Sequence, residues 1–341
     1  VSRPLPFADL AAPRLQVSYA PADTLARQLA DPQVLAVLGF GPDAPVLDDP
    51  RWLRVPLEPL QGPPCIEVWR AAAPVSHGRD DGLAWATDGR LLFGSLEVDE
   101  GEEGIEAATA RAYSRLVAFV GASQMPRLLR IWNYLDAITV GDGDEERYRR
   151  FCVGRVAGMG GMDTSSLPAA TAIGRCDGQR RLQVYWLAAR EPGTPLENPR
   201  QVSAYRYPRQ YGPQPPSFAR AMLPPAGAAM PLLLSGTAAI VGHASQHCGS
   251  VAAQLDETLA NIGSLVDAAR RLQPSLPAAL GSGSALKVYV REPGDAATVA
   301  ALLEARLGPS VPRLLLHAHV CRRELLIEID GVHGEPATPQ A

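Results

Sequence analysis

Leu232-Leu233-Leu234-Ser235-Gly236-Thr237-Ala238-Ala239-Ile240-Val241 is an apolar run holding one glycine, and it reads as a strand. The segments on its C-terminal side decide the fold class. Residues 250–272 put Val251, Leu255, Leu259, Ile262, Leu265 and Val266 at helical spacing, which predicts a long amphipathic helix. Leu286-Lys287-Val288-Tyr289-Val290 predicts a strand that stops at Glu292-Pro293-Gly294-Asp295. Asp295 is placed to cap a second helix over residues 296–307. Residues 313–320 and 324–329 then read as a hairpin turning at Cys321-Arg322-Arg323.

The middle of the chain repeats this order. Leu91-Leu92-Phe93-Gly94-Ser95-Leu96-Glu97-Val98 matches the glycine-bearing strand, and residues 106–120 match the long helix. Leu128-Leu129-Arg130-Ile131-Trp132-Asn133-Tyr134-Leu135 is the next strand. Residues 145–152 are the short helix, and residues 168–173 with 182–188 the closing hairpin. Each copy takes about 100 residues, a usual domain size. A fainter third copy lies at the start, where Cys65-Ile66-Glu67-Val68-Trp69-Arg70 resembles a closing strand. The expected fold is α+β in three units: a degenerate one over residues 1–82, a central one over 83–200, and a last one over 201–341.

The two clear copies differ at one telling place. The last strand, Leu325-Leu326-Ile327-Glu328-Ile329-Asp330-Gly331, carries a carboxylate among apolar residues. Side chains alternate along a strand, so Glu328 shares a face with Leu326 and Asp330, opposite Leu325, Ile327 and Ile329. If Leu326 faces a core, burial raises the pKa of Glu328 and leaves it protonated, as a general acid needs. The middle copy reads Val184-Tyr185-Trp186 there and has no acid, so the fold itself does not require one.

Composition excludes several function classes. With 46% apolar and 20% charged residues, this is an ordinary globular composition. A net charge of -4 gives no support for nucleic-acid or anionic-membrane binding. No apolar run approaches the roughly 18 residues of a membrane span. Val1-Ser2-Arg3-Pro4-Leu5-Pro6 lacks a charged segment followed by a long apolar one, so the expected location is the cytoplasm. Five scattered cysteines, an odd number, are not a disulfide framework and fit reduced thiols. There is no Walker loop, no dinucleotide glycine motif after a strand, and no CxxC pair, so no cofactor is expected. His243 and His247, with Cys248 beside them, would suit a metal only on a helix. His317 and His319 share a strand face and read as packing groups; no metal is expected.

Between the middle and last copies runs a connector, residues 204–220, with three tyrosines, one phenylalanine and three arginines. A plain linker favours Gly and Ser. A binding surface and aromatic packing beneath a domain seam both fit this composition.

Leu234-Ser235-Gly236-Thr237, Gln254 with Thr258-Leu259-Ala260-Asn261-Ile262, Lys287-Val288-Tyr289-Val290 and Ile327-Glu328-Ile329 resemble the small RidA/YjgF enamine deaminases. Tyr211-Gly212-Pro213 with Ser217-Phe218-Ala219-Arg220 is similar to that family's entry segment, and Arg313 stands 15 residues before Glu328 like its arginine. The whole chain more specifically resembles the chorismatases, which cleave the enolpyruvyl ether of chorismate. This likeness rests on Arg130-Ile131-Trp132-Asn133-Tyr134, Tyr148-Arg149-Arg150-Phe151-Cys152-Val153-Gly154-Arg155 and Leu167-Pro168-Ala169-Ala170-Thr171-Ala172-Ile173-Gly174. The connector and Ser235-Gly236-Thr237-Ala238-Ala239-Ile240-Val241-Gly242-His243 extend it.

The resemblance implies a monomer in which three RidA-like domains, related to the chorismate-mutase-like α/β fold, stand in pseudo-threefold symmetry. It implies an active site between the central and last domains, with Glu328 as the acid. Cys321, seven residues before Glu328, and Gly236 resemble the members that form hydroxybenzoates for pigments and quinones. Those that form a dihydroxycyclohexadiene carboxylate carry a small residue at the cysteine position. The implied products are pyruvate and 3-hydroxybenzoate, with 4-hydroxybenzoate open beside it and Cys321 steering between them. Guanidinium groups are the best partners for the two substrate carboxylates, which makes Arg155, Arg220 and Arg313 candidates, with Tyr211 as a hydroxyl donor. RidA-like hydrolysis of an enamine or imine, and ligand binding without catalysis, stay open as alternatives.

Overall fold

The computed structural model describes residues 14–161 and 163–335. The reading of Val1 to Pro6 lies outside the described residues.

The first unit runs β1 (Gln16–Pro21), α1 (Leu25–Ala30), β2 (Val34–Phe40), β3 (Trp52–Val55) and β4 (Cys65–Arg70). The second runs β5 (Ser76–Asp80), β6 (Leu83–Thr87), β7 (Leu91–Asp99), α2 (Gly104–Ala122), β8 (Arg127–Asp136), α3 (Arg147–Met159), β9 (Ala169–Arg175) and β10 (Arg181–Ala189). The third opens with β11 (Thr194–Leu196), β12 (Ala221–Leu223), β13 (Leu232–Ala238), β14 (Ile240–Val241) and β15 (Ala244–Ser245). It continues with α4 (Val251–Leu272), β16 (Ser284–Val290), α5 (Ala296–Leu307), β17 (Arg313–His317) and β18 (Ile327–His333).

The three main sheets repeat one pattern. Their orders are β1-β4-β2-β3, then β5-β6-β7-β10-β8-β9, then β11-β12-β13-β18-β16-β17. In each, the last strand in sequence inserts between the first and second main strands and pairs antiparallel with both, while the second and third pair parallel. The first unit keeps the four-strand frame but reduces its long helix to six residues. A loop spans β2 to β3 where the other units have a second helix. Sheet membership crosses both expected divisions: β5 joins the second sheet, and β11 the third.

Two local expectations are corrected. The closing segments are not hairpins, because β18 lies on the far side of β16 from β17, as β10 lies across β8 from β9. Parallel pairing of β16 with β17 commits that edge of β16, so the returning strand takes the other one. Asp295 sits at the start of α5, but its side chain makes no capping bond; a 3₁₀ turn over Pro293–Asp295 leads into the helix instead. Ser250 does cap α4, accepting from the Ala253 amide at 3.3 Å.

Alternation on buried strands explains the core. In β10, Val184, Trp186 and Ala188 pack toward the helices, while Tyr185, Leu187 and Ala189 join a central core shared by all three units. Trp69 of the first unit, Trp132 and Tyr185 of the second, and Tyr289 of the third meet there; Trp132 and Tyr185 stack at 4.7 Å. In β18, Ile327 and Ile329 face α4. Glu328 and Asp330 therefore point inward, toward the seam between units.

The seam is tied by buried charge. The Asp330 Oδ2 atom accepts from Thr171 at 2.7 Å, Tyr289 at 2.9 Å, Trp132 at 3.0 Å and Arg130 at 3.2 Å. Lys287 stands 3.8 Å from Asp330 and donates to Glu67 of the first unit at 3.0 Å. One charged cluster thus spans all three units. Among the described residues no helix is long and apolar enough to cross a membrane.

Candidate active site

A cavity of about 450 Å³ opens between the second and third units. From the second unit come Tyr148, Arg149 and Arg155 on α3 and Thr171 on β9. From the third come Gly236 on β13, Glu328 on β18, and the turn Cys321–Arg322. The connector closes one side with Tyr207, Tyr211, Phe218 and Arg220, so its aromatic residues both pack the seam and line the cavity.

Glu328 occupies a pocket cut for it. A register shift between Leu234 and Thr237 in β13 brings Gly236 against the carboxyl, where a Cβ would lie 1.9 Å from Oε1. Any side chain at 236 would take this space. Glu328 is only 5% exposed, and no hydrogen bond or ion pair to its carboxyl forms among the described residues. Burial, reinforced by the charge of Asp330, pushes its pKa from the ordinary 4.5 up to about 8, although Arg130 and Arg220 pull the other way. At neutral pH the group is a carboxylic acid that opens into the cavity.

The arginines are held ready. Arg155 is buried, with its guanidinium over the Tyr113 ring at 5.2 Å, and its Nε and one terminal nitrogen have no hydrogen-bond partner among the described residues. Buried donors left unpaired cost free energy, which suits a site that an anion completes. Arg220 donates to the Tyr207 hydroxyl at 2.7 Å and the Val202 carbonyl at 3.0 Å, leaving Nε unpaired. Tyr211 hydrogen-bonds the His243 ring at 3.1 Å and lies beneath Arg322 at 4.1 Å. Cys321 is half-buried in the wall; burial first, then the Glu328 carboxylate, push its thiol far above the ordinary range. It is a neutral thiol and not a nucleophile.

Comparison with known proteins bears on this arrangement. Residues 67–188 match the family model described as chorismatase FkbO/Hyg5-like, N-terminal. A chorismatase of Streptomyces rapamycinicus is 39% identical over 274 residues, covering 78% of this chain and 81% of the relative. The chain belongs to the chorismatase family. A 3-hydroxybenzoate synthase of Streptomyces hygroscopicus is 34% identical over 279 residues, 79% of this chain and 81% of the relative. A chorismatase crystal structure superposes with a TM-score of 0.83 at 32% identity, covering 96% of this chain and all of that one.

In this chorismatase-family chain, six of the seven candidate side chains gather round one cavity: Glu328, Cys321, Arg155, Tyr211, Arg220 and Gly236. Arg313 does not. It begins β17 and donates to the Gly308 and Val311 carbonyls and to Glu304, away from the cavity. Spacing from the acid misled because β16 lies between the two strands. His243 and His247 are not on a helix; His243 serves Tyr211, and His247 meets Glu257 at 3.2 Å. Missed at the sequence level were Thr171, Arg130 and Asp330, which surround the acid, and Arg322, which looked like a turn residue. Only Asp330 left a trace, as the second acid on the face of Glu328.

Proposed function

We propose that this chain cleaves chorismate to pyruvate and a hydroxybenzoate, 3-hydroxybenzoate with 4-hydroxybenzoate open beside it. The observation that carries this reading is a protonated carboxyl, Glu328, buried beside unpaired arginine donors in one cavity. Breaking an enol ether requires a proton on its methylene carbon, and carbon protonation is slow without a positioned acid whose pKa lies near the working pH. Glu328 gives that proton, producing an oxocarbenium ion. The ring carbon–oxygen bond then breaks with its electron pair going to oxygen, and pyruvate leaves. Loss of the proton from the neighbouring hydroxyl-bearing carbon would give 4-hydroxybenzoate. For 3-hydroxybenzoate the hydroxyl oxygen closes on the vacated carbon as its O–H proton leaves, and the epoxide then opens at its original carbon while the ring C–H proton passes to oxygen. Either route releases one net proton, which restores Glu328. Substrate and products balance without added water or redox change, so the reaction calls for no cofactor. Arg155 and Arg220 hold the two carboxylates, and Tyr211 adds a hydroxyl donor.

The named activities of the relatives support the reaction class, and the pairing of Gly236 with Cys321 supports the hydroxybenzoate product. Three units in one chain supply both sides of the seam, which supports a working monomer. Five free cysteines suit a reducing cytoplasm. Incubating the protein with chorismate and following pyruvate is the test. Release of pyruvate with a hydroxybenzoate supports the reading. Absence of pyruvate alongside ammonia release from an amino-acid-derived imine would replace it with enamine hydrolysis.

A further inference from the structure

A second group of reactive side chains lies outside this cavity. Cys176, His317 and His319 each offer one ligand atom, and these atoms all lie within 4.8 Å of one another. We propose that they form a binding site for a zinc-class divalent cation.

The backbone assembles the site from all three units. An antiparallel bridge joins Gly174 to His319, with amide-to-carbonyl bonds of 2.7 and 2.9 Å in the two directions. Its closeness depends on glycine, since a Cβ on residue 174 would stand 2.8 Å from the His319 Cβ. Cys176 comes two residues after the bridge. His317 precedes His319 by two and is fixed by its amide, which donates to the Glu58 carbonyl at 2.8 Å. The two imidazoles meet edge to face at 6.2 Å. Among the described residues none of the three side chains forms an ion pair, and the Cys176 sulfur makes a long contact, 3.8 Å, to the Gly174 carbonyl and meets the backbone of His319.

Two imidazoles and one thiolate are ligands that zinc accepts, with one position left open. Ideal tetrahedral zinc would bring these donors to roughly 3.4–3.6 Å from one another, so the exposed Cys176 and the half-buried histidines need close by only about an ångström. The charge balance permits a cation. Arg291 is close enough to be felt at Cys176 and His319, but its guanidinium is turned to the carbonyls of Leu325, Val320 and Arg322 at 2.7–2.8 Å. Asp136 is felt at both residues with the opposite sign. Cys176 and His317 also wall a separate cavity that includes Arg54 and Arg181. Binding releases the Cys176 proton to solvent and clamps the end of β9 to the end of β17.

Titration of the reduced, metal-free protein with Co²⁺ tests the site. The expected result is one equivalent bound, with a thiolate-to-cobalt charge-transfer band that Zn²⁺ abolishes by displacement. Cys176→Ser loses the band, His317→Ala and His319→Ala each weaken binding, and Cys248→Ser leaves it intact. Because Cys176 is exposed, Cys176→Ser and Cys176→Ala are both expected to fold, which circular dichroism checks. Absence of the band in the parent protein, or its survival in Cys176→Ser, overturns the proposal.

Discussion

Oε1 of Glu328 stands where the side chain of residue 236 would begin: a Cβ on Gly236 would lie 1.9 Å from it. Gly236→Ala is therefore expected to push the acid from its pocket with the rest of β13 in place. A displacement of about an ångström at a reacting group can cost on the order of a hundredfold in rate. Pyruvate release from chorismate should fall by about that factor, while circular dichroism stays as in the parent. Near-parental turnover would mean that the glycine does not place the carboxyl.

Replacing the acid itself separates catalysis from stability. Glu328→Gln should lower kcat by roughly 10²–10⁴-fold, the usual value of a positioned general acid. The parent's kcat/KM should fall as pH rises through about 8, where burial and Asp330 have moved the Glu328 pKa. Stability should change in the opposite direction on mutation. Between the ordinary carboxylate pKa and about 8, the folded parent keeps a proton that the unfolded chain has released, so its stability declines with pH. Glutamine has no such proton. The variant's advantage in stability, followed through Tm, should thus be small near pH 4, grow to pH 8, and then level off on the order of 3–5 kcal/mol. A Tm difference that is flat with pH would mean that Glu328 ionises normally.

Asp330→Asn tests the surroundings of the acid. Arg130 is fully buried, and its charge partner in the seam is Asp330, so neutralising that partner should cost roughly 3–5 kcal/mol of stability. Burial still raises the Glu328 pKa in this variant, but the same change removes the added push from Asp330 and leaves Arg130 and Arg220 to lower it. The alkaline limb of kcat/KM should then move to lower pH. A loss of stability with an unmoved pH profile would confine Asp330 to a structural role.

Why some of this was legible in sequence and some was not comes down to the range of the interactions involved. The strand and helix order of the last two units was readable because apolar period is a local property: α4 and α5 begin and end within a residue or two of their patterns. Alternation likewise set Glu328 and Asp330 on one face, opposite Ile327 and Ile329. The partners of that face are a long-range matter. Nothing near Asp330 in sequence announces Arg130, Trp132 or Thr171, which lie about half the chain away and converge only when the second and third units dock. Insertion of β18 beside β16 is similarly invisible to a local rule, which favours a hairpin and so also misplaced Arg313. Family likeness recovered Arg155 and Arg220 where periodicity could not.

Cys321 bears on which hydroxybenzoate forms. Its thiol is neutral and half-buried, packed beside Ala238, Ile240 and Leu325, so it offers the substrate a contact surface and a weak donor, with no thiolate to attack. It lies in the same wall as Glu328. Protonation and loss of pyruvate precede the choice between ring positions. Cys321→Ala should therefore keep pyruvate release within about tenfold of the parent, since removing one soft contact costs only about 1 kcal/mol. The freed space lets the ring settle differently as it becomes aromatic, so the ratio of 3- to 4-hydroxybenzoate should shift toward the 4-isomer. Chromatography of the aromatic product, read beside the pyruvate assay, separates the two effects. An unchanged ratio removes Cys321 from product control and leaves it a wall residue, whereas loss of pyruvate release would place it in the protonation step itself.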